Sequence, residues 1–520
     1  MLGRVDPQRS LLETGWARRR LVTKGSFYER LADHGHEIFS DDDFAHLYSD
    51  GQGRPSIPPS VMIRALLCAT HDRLSSDRET SRRTRVDADW KAAMGVDDDF
   101  EGIAATTFSL MRARMEVHDA DRALFEATLA KAVAAGIFKE PLTAIIDSSP
   151  VHGAGNVADS YELIRKMTGR LARAMGDRLD PELAAVALGL AAVKPDLDWQ
   201  DPAERKDHLW DLVDLAAEVL ATAATDAEAM ADPEVAEAAR LLAEVVLQDV
   251  VDNGTGPEIR DGVAKDRIVS HSDPEMRHGR KSASRRFDGH KLDVIIDEDS
   301  ELVLGVDIRA GNAGDGEGAA PLLAKVQGID GIEVDTLLGD MAYSDGDVRE
   351  AVEAEGAKLV AKVPPVTNAG RFPKTDFSVD LAAGEVTCPV GKTTSDARET
   401  KDHKGRPALR YIFDAATCAA CPLRDQCTNA GGGRSIVVGV HHDRIEAARA
   451  AQREPETKAL LRLRPKVERR IDHLQDLGMR KARFRGRRKT WLQALLAATV
   501  ANFKRLVVFD AFKISPAVAA

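Results

Sequence analysis

The order of the short apolar segments in the middle of the chain restricts its fold more than any other feature. LTAIID (142–147) predicts one strand, and HKLDVIID (290–297) with LVLGVDIRAG (302–311) predicts a hairpin closed by an acidic turn. TLLGD (336–340) and AKLVAKVP (357–364) predict two more strands, each preceded by a helical segment. Strand, hairpin, helix, strand, helix and strand in this order are typical of a mixed α/β fold.

Two segments interrupt this order. Residues 156–283 are rich in Ala, Leu, Glu and Asp and predict a helical insertion, whereas residues 371–440 are rich in Gly, Pro and Thr. Because 520 residues are too many for one simple core, we expect several domains or insertions. We predict a helical N-terminal domain over 1–118 and an α/β domain over 119–520 that carries both insertions.

The C-terminal part is predicted to be helical over 443–477 and 488–507. The N-terminal part is also helical, and it is locally basic between Arg78 and Arg85. Solvated helix faces explain such a pattern as well as a DNA-binding domain does.

Two aspartates follow predicted strands. Asp147 ends LTAIID and Asp340 ends TLLGD. Each could be an ordinary turn or helix-capping residue. Since ligand chemistry in α/β sheets lies beyond the carboxyl ends of strands, the pair also predicts one shared site. Glu468 is a third candidate acid, because it adjoins the apolar stripe Val467, Ile471, Leu474 on a predicted helix. An ion pair with Arg464 one turn earlier is the alternative.

The strongest basic cluster adjoins Glu468, in a chain whose formal charge is −12. Phosphate neutralisation is its natural use. The predicted DNA-binding residues are Arg464, Arg469, Arg470, Arg480, Lys481, Arg483, Arg485, Arg487, Arg488 and Lys489.

Four cysteines lie in the second insertion, at Cys388, Cys418, Cys421 and Cys427. Their spacing suits a structural zinc site, and four free thiols in a loop-rich segment are the alternative. The N-terminus lacks the features of a signal peptide, and no apolar run is long enough for a membrane span. We therefore expect a cytoplasmic protein with no membrane partner.

Several motifs together resemble one family. TAIIDSSPV, FDGHKLDVIID, GNAGDGEGAAPLL, LLGDMAYSD, CPVG…CAACPLRDQC and RPKVERRIDHL occur in an order similar to that of DDE-type transposases of bacterial insertion sequences. The resemblance implies an RNase H-like catalytic core in which Asp147, Asp340 and Glu468 hold two Mg²⁺ or Mn²⁺ ions. The chain departs from the family at two places on the last helix, where Leu461 and Gln475 replace a Tyr and a basic residue.

The resemblance also implies the reaction and the partners. The expected reaction is DNA cleavage followed by strand transfer, which two divalent ions can support by activating the nucleophile and stabilising the leaving oxygen. The expected partners are the terminal inverted repeats of the element and target DNA, bound by a homodimer that is nucleoid-associated on DNA. Two alternatives remain at this point: a transposase-derived DNA-binding protein without catalysis, and an RNase H-like nuclease without strand transfer.

Overall fold

The structure is a computed structural model that describes residues 2–4, 21–48, 55–282 and 284–512. The remaining parts of the predicted N-terminal domain, including residues 5–20 and 49–54, lie outside the described residues. None of the helices within these ranges is both long and apolar enough to cross a membrane.

Strands occur in the centre of the chain and in both insertions. In chain order they are β1 (Leu142–His152), β2 (Val250–Asp252), β3 (Pro257–Ile259), β4 (Arg277–Arg280), β5 (Arg286–Asp297), β6 (Val303–Ala310), β7 (Val334–Gly339), β8 (Lys358–Ala361), β9 (Ser378–Asp380), β10 (Glu385–Thr387), β11 (Thr393–Thr394), β12 (Ala397–Lys401), β13 (Pro407–Ile412) and β14 (Ser435–Gly439).

The α-helices in the described ranges surround these strands. They are α1 (Phe27–His34), α2 (Pro59–His71), α3 (Asp77–Val86), α4 (Ala88–Met94), α5 (Ala105–Val117), α6 (Ala120–Ala134), α7 (Ser160–Met175), α8 (Pro181–Ala192), α9 (Pro202–Thr225), α10 (Ala227–Met230), α11 (Pro233–Asp249), α12 (Ala319–Gln327), α13 (Gly346–Ala354), α14 (Ala415–Ala419), α15 (Arg424–Cys427), α16 (His442–Ala451), α17 (Pro455–Leu461), α18 (Pro465–Leu474) and α19 (Arg487–Val508).

A mixed sheet forms the centre of the molecule. Its main strands follow the order β4-β5-β1-β7-β8, and β6 also pairs with β5. β5 is antiparallel to β1 and β6, whereas β7 runs parallel to both β1 and β8. The predicted hairpin is therefore present as β5 and β6, with Leu292 opposite Ile308. The prediction of a mixed α/β fold is confirmed.

The N-terminal helices and the sheet share one hydrophobic core through α19. The middle of this helix, residues 494–503, is buried on all sides, and the helix packs against α2, α6 and β6. The rings of Phe27 in α1 and Phe503 in α19 lie 5.9 Å apart. The buried Asn502 side chain bonds both backbone groups of Val303, at 2.8 and 2.9 Å. These contacts attach the N-terminal helices to the sheet through α19.

The two insertions have separate hydrophobic cores. In the helical insertion, α8, α9 and α11 each begin at an Asp-Pro pair, in which Asp180, Asp201 or Asp232 caps the helix and proline takes the first position. In the cysteine-rich insertion, β9 to β14 form two small three-stranded sheets.

The C-terminal part differs from the prediction of one continuous helix over 443–477. It consists of α16, α17 and α18, followed by a single π-helical turn over Gln475–Met479. The breaks fall at Pro455 and Pro465, because proline lacks the N–H that a helix interior requires and favours the first helical position. The helix predicted over 488–507 is present as α19.

Candidate active site

Asp147 lies in the middle of β1, which corrects the predicted strand boundary. The strand continues because it remains paired with β5, from Asp147 opposite Val294 to His152 opposite Gly289. Its parallel pairing with β7 ends earlier, at Ile145. Asp147 is therefore not a turn residue, and it lies two residues beyond the last position of β1 that pairs with β7.

Asp340 directly follows β7. Leu338 is paired with Ile145, so Asp340 and Asp147 each lie two residues beyond the same paired position on adjacent parallel strands. The Asp340 carboxylate also accepts a hydrogen bond from the Ala342 N–H at 2.7 Å. Asp340 thus caps a short 3₁₀ turn, which agrees with the alternative prediction of a capping residue. Its position beside Asp147 also suits the predicted shared site.

Glu468 lies in the first turn of α18. The predicted apolar stripe of this helix is confirmed, since Val467, Ile471 and Leu474 are buried and α18 packs against β1 and β5. Glu468 Oε1 accepts a hydrogen bond from Arg464 Nη2 at 2.5 Å, and Arg464 Nη1 lies 3.5 Å from Asp147 Oδ2. One guanidinium therefore connects Glu468 to Asp147.

The environment of Asp147 is that of a partly buried acid among other charges. Burial raises the pKa of Asp147 to about 6, and the carboxylates of Asp340 and Glu468 contribute to the increase. The Ser148 N–H, 2.8 Å from Asp147 Oδ1, and the Arg464 guanidinium lower it. The two other acids and the arginine thus all act on the ionisation of Asp147.

A polar network beside Asp147 was not predicted from the sequence. Ser148 Oγ donates a hydrogen bond to Asp315 Oδ1 at 2.7 Å, and the same oxygen accepts one from the buried Lys291 Nζ at 2.6 Å. Gln475, at the place where the family has a basic residue, donates to Ser149 Oγ at 2.7 Å. Lys291 and Asp315 both belong to motifs that carry the resemblance to the family. The contact between them could not be predicted, because the two motifs are separate in the sequence.

These side chains do not form a closed metal cage in this conformation. Within the described ranges, no group of three or more His, Cys, Asp or Glu side chains is arranged to hold a metal ion. The donor chemistry nevertheless suits a hard divalent ion, because Asp147, Asp340 and Glu468 all provide carboxylate oxygens. The Arg464 guanidinium lies between two of these acids, Asp147 and Glu468.

The basic residues on α18 contact the turn that connects β5 and β6. Arg469 Nη2 lies 3.0 Å from Glu301 Oε1, and the buried Arg470 lies 3.4 Å from the other oxygen of Glu301. Lys466 forms an ion pair with Glu298 in the same turn. These contacts hold α18, and with it Glu468, against the sheet.

Three arginines of the run 480–489 form ion pairs of 3.0 Å or less within the protein. Arg483 pairs with Asp77, and Arg487 pairs with Glu275 at 3.0 Å. Arg488 pairs with Asp121, whose side chain is completely buried, at 2.6 Å. The arginine pairs with Asp77 and Asp121 tie the N-terminal helices to the C-terminal part.

The other basic residues of this run are exposed. Arg480 pairs only weakly with Asp476, at 3.6 Å, whereas Lys481, Arg485 and Lys489 form no ion pair with any residue in the described ranges. The run begins beside the end of β1, because Ala482 N–H donates to the His152 carbonyl at 2.7 Å. With a rise of about 3.3 Å per strand residue, this contact lies roughly 16 Å along β1 from Asp147.

The four cysteines of the second insertion line one cavity of about 450 Å³. None of them forms a disulfide, and burial raises the pKa of the Cys427 thiol. Among the described residues, these thiols are not arranged in a cluster that could hold a metal ion. The structure therefore does not support the predicted zinc site.

Two family models match the chain. The family described as "Transposase DDE domain" matches residues 387–507, and the family described as "Transposase domain (DUF772)" matches residues 17–114. No curated protein and no solved structure matches the chain. The first match contains Glu468 and the four cysteines, whereas Asp147 and Asp340 lie outside both matches. The predicted resemblance to DDE-type transposases of insertion sequences is confirmed.

Proposed function

We propose that this chain, which resembles DDE-type transposases in both its N-terminal and C-terminal parts, cleaves DNA at the ends of an insertion sequence and joins those ends to target DNA. The observation that carries the proposal is the position of Asp147, Asp340 and Glu468 around one sheet edge, in a chain that matches two transposase domains. The reaction is metal-dependent, and its substrates are double-stranded element ends and target DNA.

In this proposal Asp147, Asp340 and Glu468 hold two Mg²⁺ or Mn²⁺ ions. When bound, the ions supply Lewis acidity and lower the pKa of a coordinated water. The protein contributes rigid placement: β1 and β7 fix the two aspartates, and the hairpin contacts of α18 fix Glu468. We assign Arg464 to a DNA phosphate beside these acids, because its guanidinium lies between Asp147 and Glu468.

The arrangement of the sheet supports an RNase H-like core. An antiparallel hairpin precedes two parallel strands around β1, and β1 carries the first acid at its middle. We therefore assign residues 119–520 to a catalytic domain of this type, interrupted by the helical and the cysteine-rich insertions. Residues 1–118 are assigned to DNA binding. We also propose that the protein acts as a homodimer on DNA.

The DNA path proposed here uses the exposed cations near the sheet edge. Lys481, Arg485 and Lys489 form no ion pair with any other described residue, so their charges are available for phosphates. Arg483 and Arg488 are assigned mainly to holding the two ends of the chain together, since both pair with partly or fully buried aspartates.

The test is cleavage of a duplex that contains the DNA flanking the gene, with Mg²⁺ or Mn²⁺ present. Asp147→Asn, Asp340→Asn and Glu468→Gln are each expected to abolish cleavage while DNA binding persists, because each keeps the side-chain shape but removes a ligand charge. Glu456→Gln, at an exposed position of the preceding helix α17, serves as the matched control and should cleave normally.

The two competing functions have distinct outcomes in this assay. A wild-type protein that binds the duplex but never cuts it would be a DNA-binding protein without catalysis. Cleavage without joining to a supercoiled target would identify a nuclease without strand transfer. Full cleavage by any one of the three variants removes that residue from the proposed site.

A further inference from the structure

A basic cavity of about 510 Å³ lies between the cysteine-rich insertion and α16. Five lysine and arginine side chains line it, but only two acidic ones, Asp402 and Glu446. The basic residues are Lys374, Lys401, Arg406, Arg410 and Arg449. This cavity is separate from the basic run that follows α18, and neither the proposed chemistry nor the core of the insertion uses it.

The two acids neutralise only part of this charge. Arg406 pairs with Asp402 at 2.7 Å, and Arg449 pairs with Glu446 at 3.2 Å. The side chains of Lys374, Lys401 and Arg410 form neither a hydrogen bond nor an ion pair with any residue in the described part of the chain.

Lys374 is half-buried, and burial lowers the pKa of its ammonium group. A partly desolvated cation without a partner is costly, and a bound anion would offset that cost.

Residues that line the cavity form ion pairs with the segment that follows Asp340. Arg406 Nη1 lies 3.0 Å from Asp345 Oδ1 and 2.9 Å from Asp347 Oδ2. His441, which lines the cavity, contacts Asp347 at 2.6 Å. Gly346, between the two aspartates, packs so closely on His441 that a Cβ atom there would lie 2.3 Å from the Cβ of His441. The basic cavity and the Asp340 turn therefore form one continuous region.

We propose that this cavity binds backbone phosphates of the DNA whose cleavage is proposed above, where the duplex continues past Asp340 onto the cysteine-rich insertion. The inference rests on the proposed function. Lys401 and Arg410 are the expected phosphate contacts, because both are exposed on β12 and β13 and lack a protein partner. Because contacts to backbone phosphates carry no sequence information, they are expected to add affinity without sequence preference.

The experiment compares DNA binding by Lys401→Gln/Arg410→Gln with binding by Arg173→Gln/Lys265→Gln at several salt concentrations. The second pair removes the same charges from exposed positions of the helical insertion. The probes are a duplex of the DNA flanking the gene and a duplex of unrelated sequence. For the cavity variant we expect weaker binding to both duplexes and a log–log salt slope shallower by about 1.8, or about 0.9 for each lost contact. The control variant should match the wild type.

The outcomes separate this inference from the proposed function. If the wild type binds neither duplex, the proposed function and the inference both fail. If the wild type binds but the cavity variant keeps its affinity and slope, only the inference fails. Calorimetry with inorganic phosphate distinguishes a small-anion site: phosphate binding that the cavity variant loses, together with unchanged DNA binding, would also overturn the DNA assignment.

Discussion

Arg464 places its guanidinium 3.5 Å from the carboxylate of Asp147 while it donates a hydrogen bond to Glu468. The helix that carries Glu468 thus supplies a positive charge to the strand that carries Asp147. That charge opposes the rise in the pKa of Asp147 that burial and the neighbouring acids cause. Arg464 therefore affects both the assembly and the pH response of the site.

Replacing Arg464 with Gln is expected to shift the pH dependence of cleavage to higher pH. Without the guanidinium, the pKa of Asp147 rises above its value of about 6, so a higher pH is needed to ionise the acid. The measurement is the pH dependence, between about pH 5 and 9, of the Mg²⁺ concentration that gives half-maximal cleavage, because Asp147 must ionise before it can bind the ion. Arg464→Lys should restore most of the wild-type profile. An unchanged profile for the Gln variant would show that Arg464 does not act on Asp147.

The stability of the metal-free protein is expected to reflect the raised pKa of Asp147. The folded pKa lies above the unfolded value, so this group stabilises the fold below about pH 4, and the contribution is lost as pH rises through about 6. Asp147→Asn should therefore gain stability relative to the wild type between pH 4 and 7, by roughly 2–3 kcal/mol. Urea unfolding with a chelator present measures the difference, and Mg²⁺ should then stabilise only the wild type. Parallel pH curves would contradict the buried-acid description.

Removing Arg488 is expected to destabilise the fold. Its partner Asp121 is completely buried, so Arg488→Ala leaves an uncompensated buried charge at a cost of about 3–5 kcal/mol. The neighbouring Lys489→Ala, at an exposed position, should change stability by less than about 0.5 kcal/mol. Chemical denaturation measures both values. Arg488→Met combined with Asp121→Leu should recover much of the loss, and equal stabilities of the two single variants would argue against the buried pair.

DNA binding is expected to depend on the exposed cations of the same run. Arg485→Ala/Lys489→Ala should weaken binding to all sequences and make the log–log salt slope shallower by about 1.8. Folding should be unchanged, because neither side chain pairs with another described residue. Fluorescence anisotropy at several salt concentrations gives the slope, and circular dichroism checks the fold. A slope equal to that of the wild type would mean that these residues are only a solvated surface.

The sequence predicted the elements of the fold better than their ends or their long-range contacts. The β5–β6 hairpin and the apolar face of α18 were correctly predicted, because their periodicity is local. The end of the strand at Asp147 was wrong, because pairing with β5 extends β1 through polar residues that have no apolar pattern. The breaks at Pro455 and Pro465 were missed although proline marks such positions.

The candidate site was predicted as a set of residues, and their roles remain predictions. Register explains why Asp147 and Asp340 lie near each other, since parallel strands bring equivalent positions together. The partners of Arg483 and Arg488 could not be predicted, because Asp77 and Asp121 lie in a distant part of the chain. Charge density alone does not distinguish a cation that binds DNA from one that holds two parts of the protein together.

The shared core of the N-terminal helices and the sheet has a consequence for how such an enzyme would measure DNA. The contact between Phe27 and Phe503 and the ion pair between Arg483 and Asp77 hold the N-terminal helices in a fixed position relative to Asp147. In a transposase built in this way, the rigid connection would fix the number of base pairs between the recognised sequence and the bond that is cut. An insertion of one or two base pairs between them would move the bond away from Asp147 and prevent cleavage at that bond, even if the recognised sequence is still bound tightly.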